Sequence, residues 1–552
     1  MYIGFKEDLH NEFKSDRNKI SDTDIIDVVV AFANTDGGSL YIGVEDNGEI
    51  TGLHPSHRDE IQLAAFIANK TVPPVSVMVE KDEADNYVKV TVPKCRSIIA
   101  SSSGKLLRRR IKSDSTPENV PMYPHEISSR LSDLRLLDFS SQCVPESSYE
   151  DLDDIERERL RKAIRIYHGE QTLLELDNEE LDKALRLVDE VNGRLVPTFT
   201  GMLLIGRSDR FKLRVPTAGA VFQVLNGTNV ALNESLDLPI LAAFERISAF
   251  MDARNTEEEI EDGLYRISVF DYNKRAVREA IVNAFCHRDY TMLGRIRILM
   301  DDDGLSIINP GGFIEGVTFD NLLTVEPQGR NPALADALKR IGLAERTGRG
   351  IDRIFEGSLL YGKPLPDYSE SNEVMVKLFI PKSLPDRSFT KLISDEQKRT
   401  GQVLPINTLL VLNELKRSRR ATLSEISAAT HISDTKIKVT LERLVESGLI
   451  EASGNGRNRH YTLSAGIYKE SKDIKGYVRQ TGIDSIRNPE LIIKYAASNN
   501  GRVSRNEAAD LLKINDSQAY RLLKKLADEG QLRLIGKGKY AYYILTGNKD
   551  NN

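Results

Sequence analysis

The 552-residue sequence has few cysteines, no long apolar run and no overall excess of positive charge, and each shortage excludes something. Its three cysteines, Cys95, Cys143 and Cys286, stand far apart with no C-x-x-C pair. That spacing excludes a disulfide framework and a cysteine zinc site, and leaves three free, mostly buried thiols as the expectation. No stretch reaches the roughly 18 uninterrupted apolar residues that a membrane span requires. The opening MYIGFKEDLHNEFK breaks its apolar residues with charge, unlike the h-region of a secretory signal, so a cytoplasmic protein with no membrane partner is expected. The formal net charge of −6 argues by itself against a nucleic-acid binder. The sign is unevenly spread, however: positions 386–547 hold 28 Lys and Arg against 18 Asp and Glu, so the phosphate-seeking part of the chain is its C-terminal one.

At roughly 100 to 200 residues per domain, the length predicts about three to five domains and a multidomain α+β protein. Residues 1–140 read as a compact α+β unit: SDTDIIDVVVAFANTDGG has helical periodicity, and SLYIGVEDNGEITGL then alternates toward a turn. A charged, helix-prone connector covers 141–197. Over 198–385, strands such as AGAVFQVL, RIRILM and EVMVKLFIP alternate with the helices LPILAAFERISAFMDA and NKRAVREAIVNAFCHRD, the pattern of a layered α/β sandwich. SLPDRSFTKLISDEQKRTG reads as a polar linker. Segments 402–465 and 484–546 each show three amphipathic helices, a strand, a turn and a strand, which is the order of a winged helix-turn-helix.

In the first of these, Ser433 and Asp434 are placed to cap the third helix, which puts Thr435, Lys436 and Lys438 at its start. Ile437, Leu441, Leu444 and Val445 form its apolar stripe, leaving a polar N-terminal face that can enter a major groove. Arg457 and Arg459 stand at the wing tip, within reach of phosphates or a minor groove. The second copy has Asn515 or Asp516 as the cap, Gln518, Arg521 and Lys524 on the helix, and Lys537 and Lys539 on the wing. Winged helices also bind protein or organise oligomers. Polar helix, basic wing and local positive charge agree across two copies, which favours double-stranded DNA.

The middle of the chain carries a different chemistry. Glu279 and Asn283 lie four residues apart and share one helix face. A carboxylate there can align a water against a terminal phosphate, and an amide oxygen can hold Mg²⁺. LSIINPGGF places Asn309, Gly311 and Gly312 after a strand, and ERTGRGIDRI sets Gly348 and Gly350 before a helix, whose first amides favour phosphate. The plainer account makes Glu279 and Asn283 a solvated face and the glycines ordinary turns. Together these segments resemble the GHKL class of ATP-binding domains, with REAIVNAFCHRDY like its N-box and TGRGI like its second glycine box. The match is nearer to a divergent branch in RecG-like transcriptional regulators, where HRDY, NPGG, RNP and GxGI recur, and it is nearly continuous over 199–385. The resemblance implies ATP and Mg²⁺ as cofactors, Glu279 as the base of a weak ATPase, Asn283 as the Mg²⁺ ligand, and Asn309, Gly311, Gly312, Gly348 and Gly350 around the nucleotide. The adenine-reading aspartate of that class is Asn309 here. There is no G-x-x-x-x-G-K-[ST] loop, so a helicase motor is not expected.

EDLHNEFK, AFANTDGGSLYIGVEDNGEITGL and KLLRRRIKSDSTPENVPMYPHEI resemble a Schlafen AlbA-like domain over 1–131. In Asn34-Thr-Asp-Gly37-Gly38 the glycines suit a tight passage from helix to strand. Nuclease members of that family use paired glutamates and an aspartate, and Glu7, Glu12 and Asp46 fall at corresponding places, where they would hold divalent ions and activate water. The plainer account puts Glu7 and Glu12 on a surface helix and Asp46 in a D-N-G hairpin turn. Arg108 and Arg110 are candidates for DNA, with strand alternation turning Arg109 the other way. The expectation is a nucleotide-responsive, DNA-binding transcriptional regulator that works as a homodimer or higher oligomer. The rival readings are a metal-dependent nuclease of a defence system and a scaffold that only assembles partners.

Overall fold

The computed structural model describes residues 2–82, 86–112, 114, 116–134, 136–262, 265–326, 328–345, 348–454, 459–464, 488–512, 516–536 and 541–546. The N-terminal domain runs β1 (Asn11–Lys14), α1 (Asp22–Asn34), β2 (Gly38–Ile42), α2 (Glu60–Lys70), β3 (Thr71–Val72), β4 (Met78–Asp82), β5 (Tyr87–Val92), β6 (Ala100–Ser101), β7 (Leu107–Ile111), β8 (Pro117–Pro121) and α3 (Pro124–Asp133). Its sheet has the order β1-β2-β5-β4, with β1 parallel to β2 and the other pairs antiparallel; β3 pairs with β6 and β7 with β8. The Ser21 hydroxyl accepts from Asp24 N and starts α1. From Val28 to Asn34 every residue of α1 is buried, because the helix touches both β2 and β7. Asn34 ends it with a buried amide that donates to Ile99 O (2.7 Å) and Leu107 O (2.9 Å) and accepts from Ile99 N (2.7 Å). Gly37 then turns the chain at φ +75°, where a Cβ would meet Val92 O.

The stretch expected as a connector is built into the protein. It forms α4 (Asp154–Ile166), α5 (Asn178–Ala184) and a hairpin of β9 (Val188–Val191) and β10 (Arg194–Pro197); α6 (Phe199–Ile205) and α7 (Ser208–Arg214) follow it, before the first strand of the expected sandwich. Leu160, Ile164, Leu181 and Met202 belong to the central core, and a buried ion pair, Arg157 to Asp182 at 2.8 Å, locks α4 to α5.

The sandwich follows as β11 (Ala220–Asn226), β12 (Asn229–Leu236), α8 (Ile240–Asp252), β13 (Glu257–Asp262), β14 (Tyr265–Phe270), α9 (Lys274–His287), β15 (Ile296–Met300), β16 (Gly304–Pro310), α10 (Pro332–Ile341), α11 (Gly350–Leu359) and β17 (Met375–Pro381). Its sheet order is β12-β11-β15-β16-β17, with β11 and β15 parallel; α9 lies on β16 and α11 lies on α9.

The expected linker is instead a helix, α12 (Arg387–Thr400), started by Asp386, whose side chain accepts from Phe389 N, and ended by Gly401 at φ +67°. Its buried Phe389, Thr390, Ile393 and Glu396 recur at helical spacing, a stripe that the charged residues between them mask in the sequence. The first winged helix has α13 (Ile406–Ser418), β18 (Ala421–Thr422), α14 (Leu423–Thr430), α15 (Asp434–Glu446), β19 (Ile450–Ser453) and β20 (His460–Leu463). The second has α16 (Asn488–Ser498), β21 (Arg502–Ser504), α17 (Arg505–Leu512), α18 (Asp516–Asp528), β22 (Leu532–Ile535) and β23 (Tyr542–Leu545). The small sheets share one topology, β18-β20-β19 and β21-β23-β22. One hydrophobic core runs from Val144 to Leu463 and so includes the first winged helix, whereas the N-terminal domain and the second winged helix have cores of their own. All three cysteines are free; Cys286 is buried and the other two half-buried.

Candidate functional site

Asn273 caps α9 by accepting from Arg275 N and Ala276 N, which sets the phase of the helix so that Glu279 and Asn283 face a cavity of about 300 Å³. Asn309 on β16 and Gly348 and Gly350 at the start of α11 line the same cavity, together with Gly312. Neither glutamate nor asparagine is a solvated face. Glu279 is 4% exposed, and burial, helped by the neighbouring Glu345, pushes its carboxyl up to about 7 against the pull of Arg278 and Arg275. Gly350 is needed for the fit, because a Cβ there would run into Glu279 Oε1 and stand 3.3 Å from Asn283 Nδ2. No side chain caps α11, whose N-cap residue is Arg349.

Asn309 is 5% exposed, and its Oδ1 is buried with no hydrogen-bond partner among the described residues. An orphaned acceptor of this kind costs roughly 1–3 kcal/mol unless a ligand supplies a donor. Apolar residues such as Ile307, Leu322, Ile351 and Leu378 form the rest of the wall, so the cavity pairs an apolar slot with a few polar groups, as small-molecule sites do.

The first glycine pair behaves otherwise than expected. Gly311 N donates to Val374 O (2.9 Å) and Gly312 N to Glu373 O (3.1 Å), so both amides are taken up by the segment just ahead of β17 and are not open to a ligand. Gly311 is outside the cavity lining.

The HRDY and RNP residues hold the walls. Arg288 is wholly buried and donates to Thr217 O, Gly294 O and Met292 O at 2.5, 2.6 and 3.2 Å, and burial lowers its pKa. Asn331 Nδ2 donates to Cys286 O (2.9 Å) and Arg288 O (2.8 Å), and Arg330 Nη2 donates to Gly312 O (3.1 Å). Arg330 also pairs with Asp133 of α3 at 2.5 Å, while Ser129 donates to Asp289 and Arg130 pairs with Glu315 at 2.9 Å, so α3 is strapped to the cavity loops. Sequence reasoning missed His287 and Lys339, which also line the cavity. Burial, with Arg330 and Lys339 beside it, drives His287 down to about 4, so it stays neutral. HRDY was visible, but nothing local separated its cavity-facing histidine from its buried arginine.

In the N-terminal domain, Glu12 lies on β1 rather than on a surface helix, and it is 7% exposed. It pairs with Arg109 at 2.6 Å and Lys14 at 2.5 Å. Arg109, wholly shielded as strand alternation requires, also donates to Asp8 O and Asn11 O and lies 4.9 Å over the Phe32 ring. Glu7 accepts from Phe13 N at 2.8 Å; burial raises its pKa, with Glu12 and Asp46 adding to the effect. Asp46 is exposed in the turn closed by Gly48 N to Glu45 O at 2.7 Å. Among the described residues, no three His, Cys, Asp or Glu side chains form a group able to hold a metal ion. Arg108 and Arg110 are paired with Glu126 (2.5 Å) and Glu118 (2.6 Å).

On α15, Thr435, Lys436 and Lys438 are exposed, and Ile437, Leu441 and Leu444 are buried. Ser433 takes the cap position, but no side-chain cap bond forms there. Arg459 is exposed and lies 5.4 Å over Tyr461; Arg521 and Lys524 are exposed on α18. Arg457, Asn515, Lys537 and Lys539 and the side chain of Gln518 lie outside the described residues.

Family models match four stretches. Residues 7–118 match "Schlafen, AlbA_2", 130–219 a domain of unknown function, 294–378 "Putative ATP-dependent DNA helicase recG C-terminal", and 404–451 "Winged helix-turn-helix DNA-binding". The crystal structure of the DIP2311 protein from Corynebacterium diphtheriae is similar at a TM-score of 0.51 and 19% identity, over 84% of this chain and 94% of that one, a likeness of fold. The chain therefore joins an AlbA-like domain, an ATPase-like domain and winged helices of the DNA-binding kind in one multidomain α+β molecule. No described helix is long and apolar enough to cross a membrane.

Proposed function

We propose that this protein is a DNA-binding transcriptional regulator whose hold on duplex DNA responds to ATP with Mg²⁺ taken up in the central cavity. One observation carries the reading: Glu279, Asn283, Gly350 and the orphaned Asn309 acceptor meet around one cavity whose walls continue into the core of the first winged helix. Asn309 would face the base, whose exocyclic amine suits its Oδ1, and the uncapped start of α11 would face phosphate. Asn283 would hold the metal, which would supply charge neutralisation for the phosphates. Glu279, with its pKa near 7, suits a weak general base at neutral pH. Thr435, Lys436, Lys438 and Arg459 on the first module, and Arg521 and Lys524 on the second, supply the DNA-facing groups.

Calorimetric titration with ATP and Mg²⁺ against the full chain and Asn283→Ala, with duplex affinity followed by fluorescence anisotropy, tests this. Binding that is lost in the variant, and duplex affinity that moves with ATP, is the expected result; if neither moves in the parent protein, the reading falls. A homodimer, part of the same proposal, is measured by sedimentation in the same buffers. The nuclease reading has less support, since Glu12 is committed to Arg109. Cleavage of labelled DNA or RNA in Mn²⁺ would revive it.

A further inference from the structure

The segment over residues 312–326 has two working sides. Val317, Leu322 and Leu323 face inward and wall the cavity. On the outer side, the 3₁₀ turn Phe319–Asn321 meets the first winged helix at His431. The Phe319 and His431 rings stand edge to face, 6.4 Å between centroids, and Asp320 Oδ1 is 3.7 Å from His431 Nε2.

The place of that contact gives it meaning. His431 forms the turn between α14 and α15, in the left-handed region at φ +55°, just ahead of the exposed Thr435 and Lys436. Duplex DNA seated on the first turn of α15 brings backbone phosphates to this turn, since turn residues and helix N-termini make the positioning contacts of such motifs. The Asp320 carboxylate already stands there, and like charge opposes phosphate. Arg130 to Glu315 and Arg330 to Asp133 tie the flanks of residues 319–321 to α3.

We propose that this loop is a brace. In the arrangement seen here it obstructs the DNA approach to the α14–α15 turn, and a nucleotide in the cavity, pressing on Val317, Leu322 and Leu323, lifts residues 319–321 off His431 and admits duplex. The inference rests on the reading that the cavity takes a nucleotide and α15 takes DNA. It adds the sign of the coupling and the residues that transmit it.

The test measures affinity for a random 30-base-pair duplex by anisotropy on the full chain, with and without ATP and Mg²⁺. Two variants break the contact from opposite sides: Phe319→Ala/Asp320→Ala, and His431→Asn, which tolerates a left-handed backbone. Both should bind duplex about tenfold more tightly than the parent protein without nucleotide, and ATP should add less than about threefold to them, within the range usual for coupled sites. Duplex affinity in both variants equal to or below the parent's overturns the brace. If that happens while ATP still raises the parent's melting temperature, nucleotide binding survives and only the brace fails. If the variants gain affinity while ATP binds nothing, the brace stands and the nucleotide reading fails.

Discussion

In the first winged helix, α13 buries Leu409, Leu410, Val411 and Leu412 in succession, whereas in the second, α16 buries Ile492, Tyr495 and Ala496 at helical spacing. The first pattern belongs to a helix covered on all sides and the second to a helix with one covered face. The surroundings agree: α13 packs against α11 of the cavity, Lys416 donates to Gly362 O at 2.8 Å and pairs with Asp386 at 2.9 Å, and one core runs through both. The second module closes its own core. Two units with one topology thus differ in what they can report. The first is mechanically part of the cavity domain, and the second is a separately folded module on the same chain.

The largest test of this contrast is paired truncation in the two cores. Leu412→Ala and Ile492→Ala should each cost about 2–5 kcal/mol. By calorimetry and hydrogen exchange, Leu412→Ala should weaken the cavity domain along with the first winged helix, whereas Ile492→Ala should loosen only the second. A loss confined to residues 402–464 in the first variant would break the comparison.

Next in size is a pH effect. Burial raises Glu279 from the ordinary 4.5 to about 7, so the folded protein keeps a proton that the unfolded chain has lost. The stabilisation is complete below about 4.5 and lost as pH rises through about 7, so against Glu279→Gln the parent should lose up to about 3 kcal/mol across that window. The loss should appear in the transition that includes the first winged helix and not in that of the second; a flat difference between parent and variant would remove the raised carboxyl.

On DNA, Lys436→Ala and Lys438→Ala should each lower the slope of log affinity against log salt by about 1, and Lys524→Ala in the second module by a similar amount. Identical slopes in parent and variants would take these lysines out of the interface. The smallest effect is expected of Lys416→Ala, at about 1 kcal/mol, since half-exposed ion pairs contribute little. An effect several times larger would make Lys416 the main tie between winged helix and cavity.

Much of this was legible in the sequence where the signal is local. Helical periodicity located α1, α9 and α15, the order of helices and strands marked both winged modules, and the spacing of Glu279 and Asn283 put them on one face. Local signal misled where a charged surface hid a thin apolar stripe, as in α12, and where the partner lay far along the chain. Gly311 and Gly312 read as part of a nucleotide site, but their amides pair with Val374 and Glu373. Glu12 read as a surface carboxylate or a metal ligand until Arg109, from β7, closed on it.

Apolar period, capping residues and charge distribution act over a few residues, so the sequence by itself determined which elements form, in what order, and which end of the chain carries the excess of positive charge. Which backbone amides remain available, which carboxylates are neutralised by distant arginines, and whether a winged helix stands alone or shares a core depend on contacts between residues far apart. Those contacts exist only once the layers pack, and the tertiary structure alone decided them.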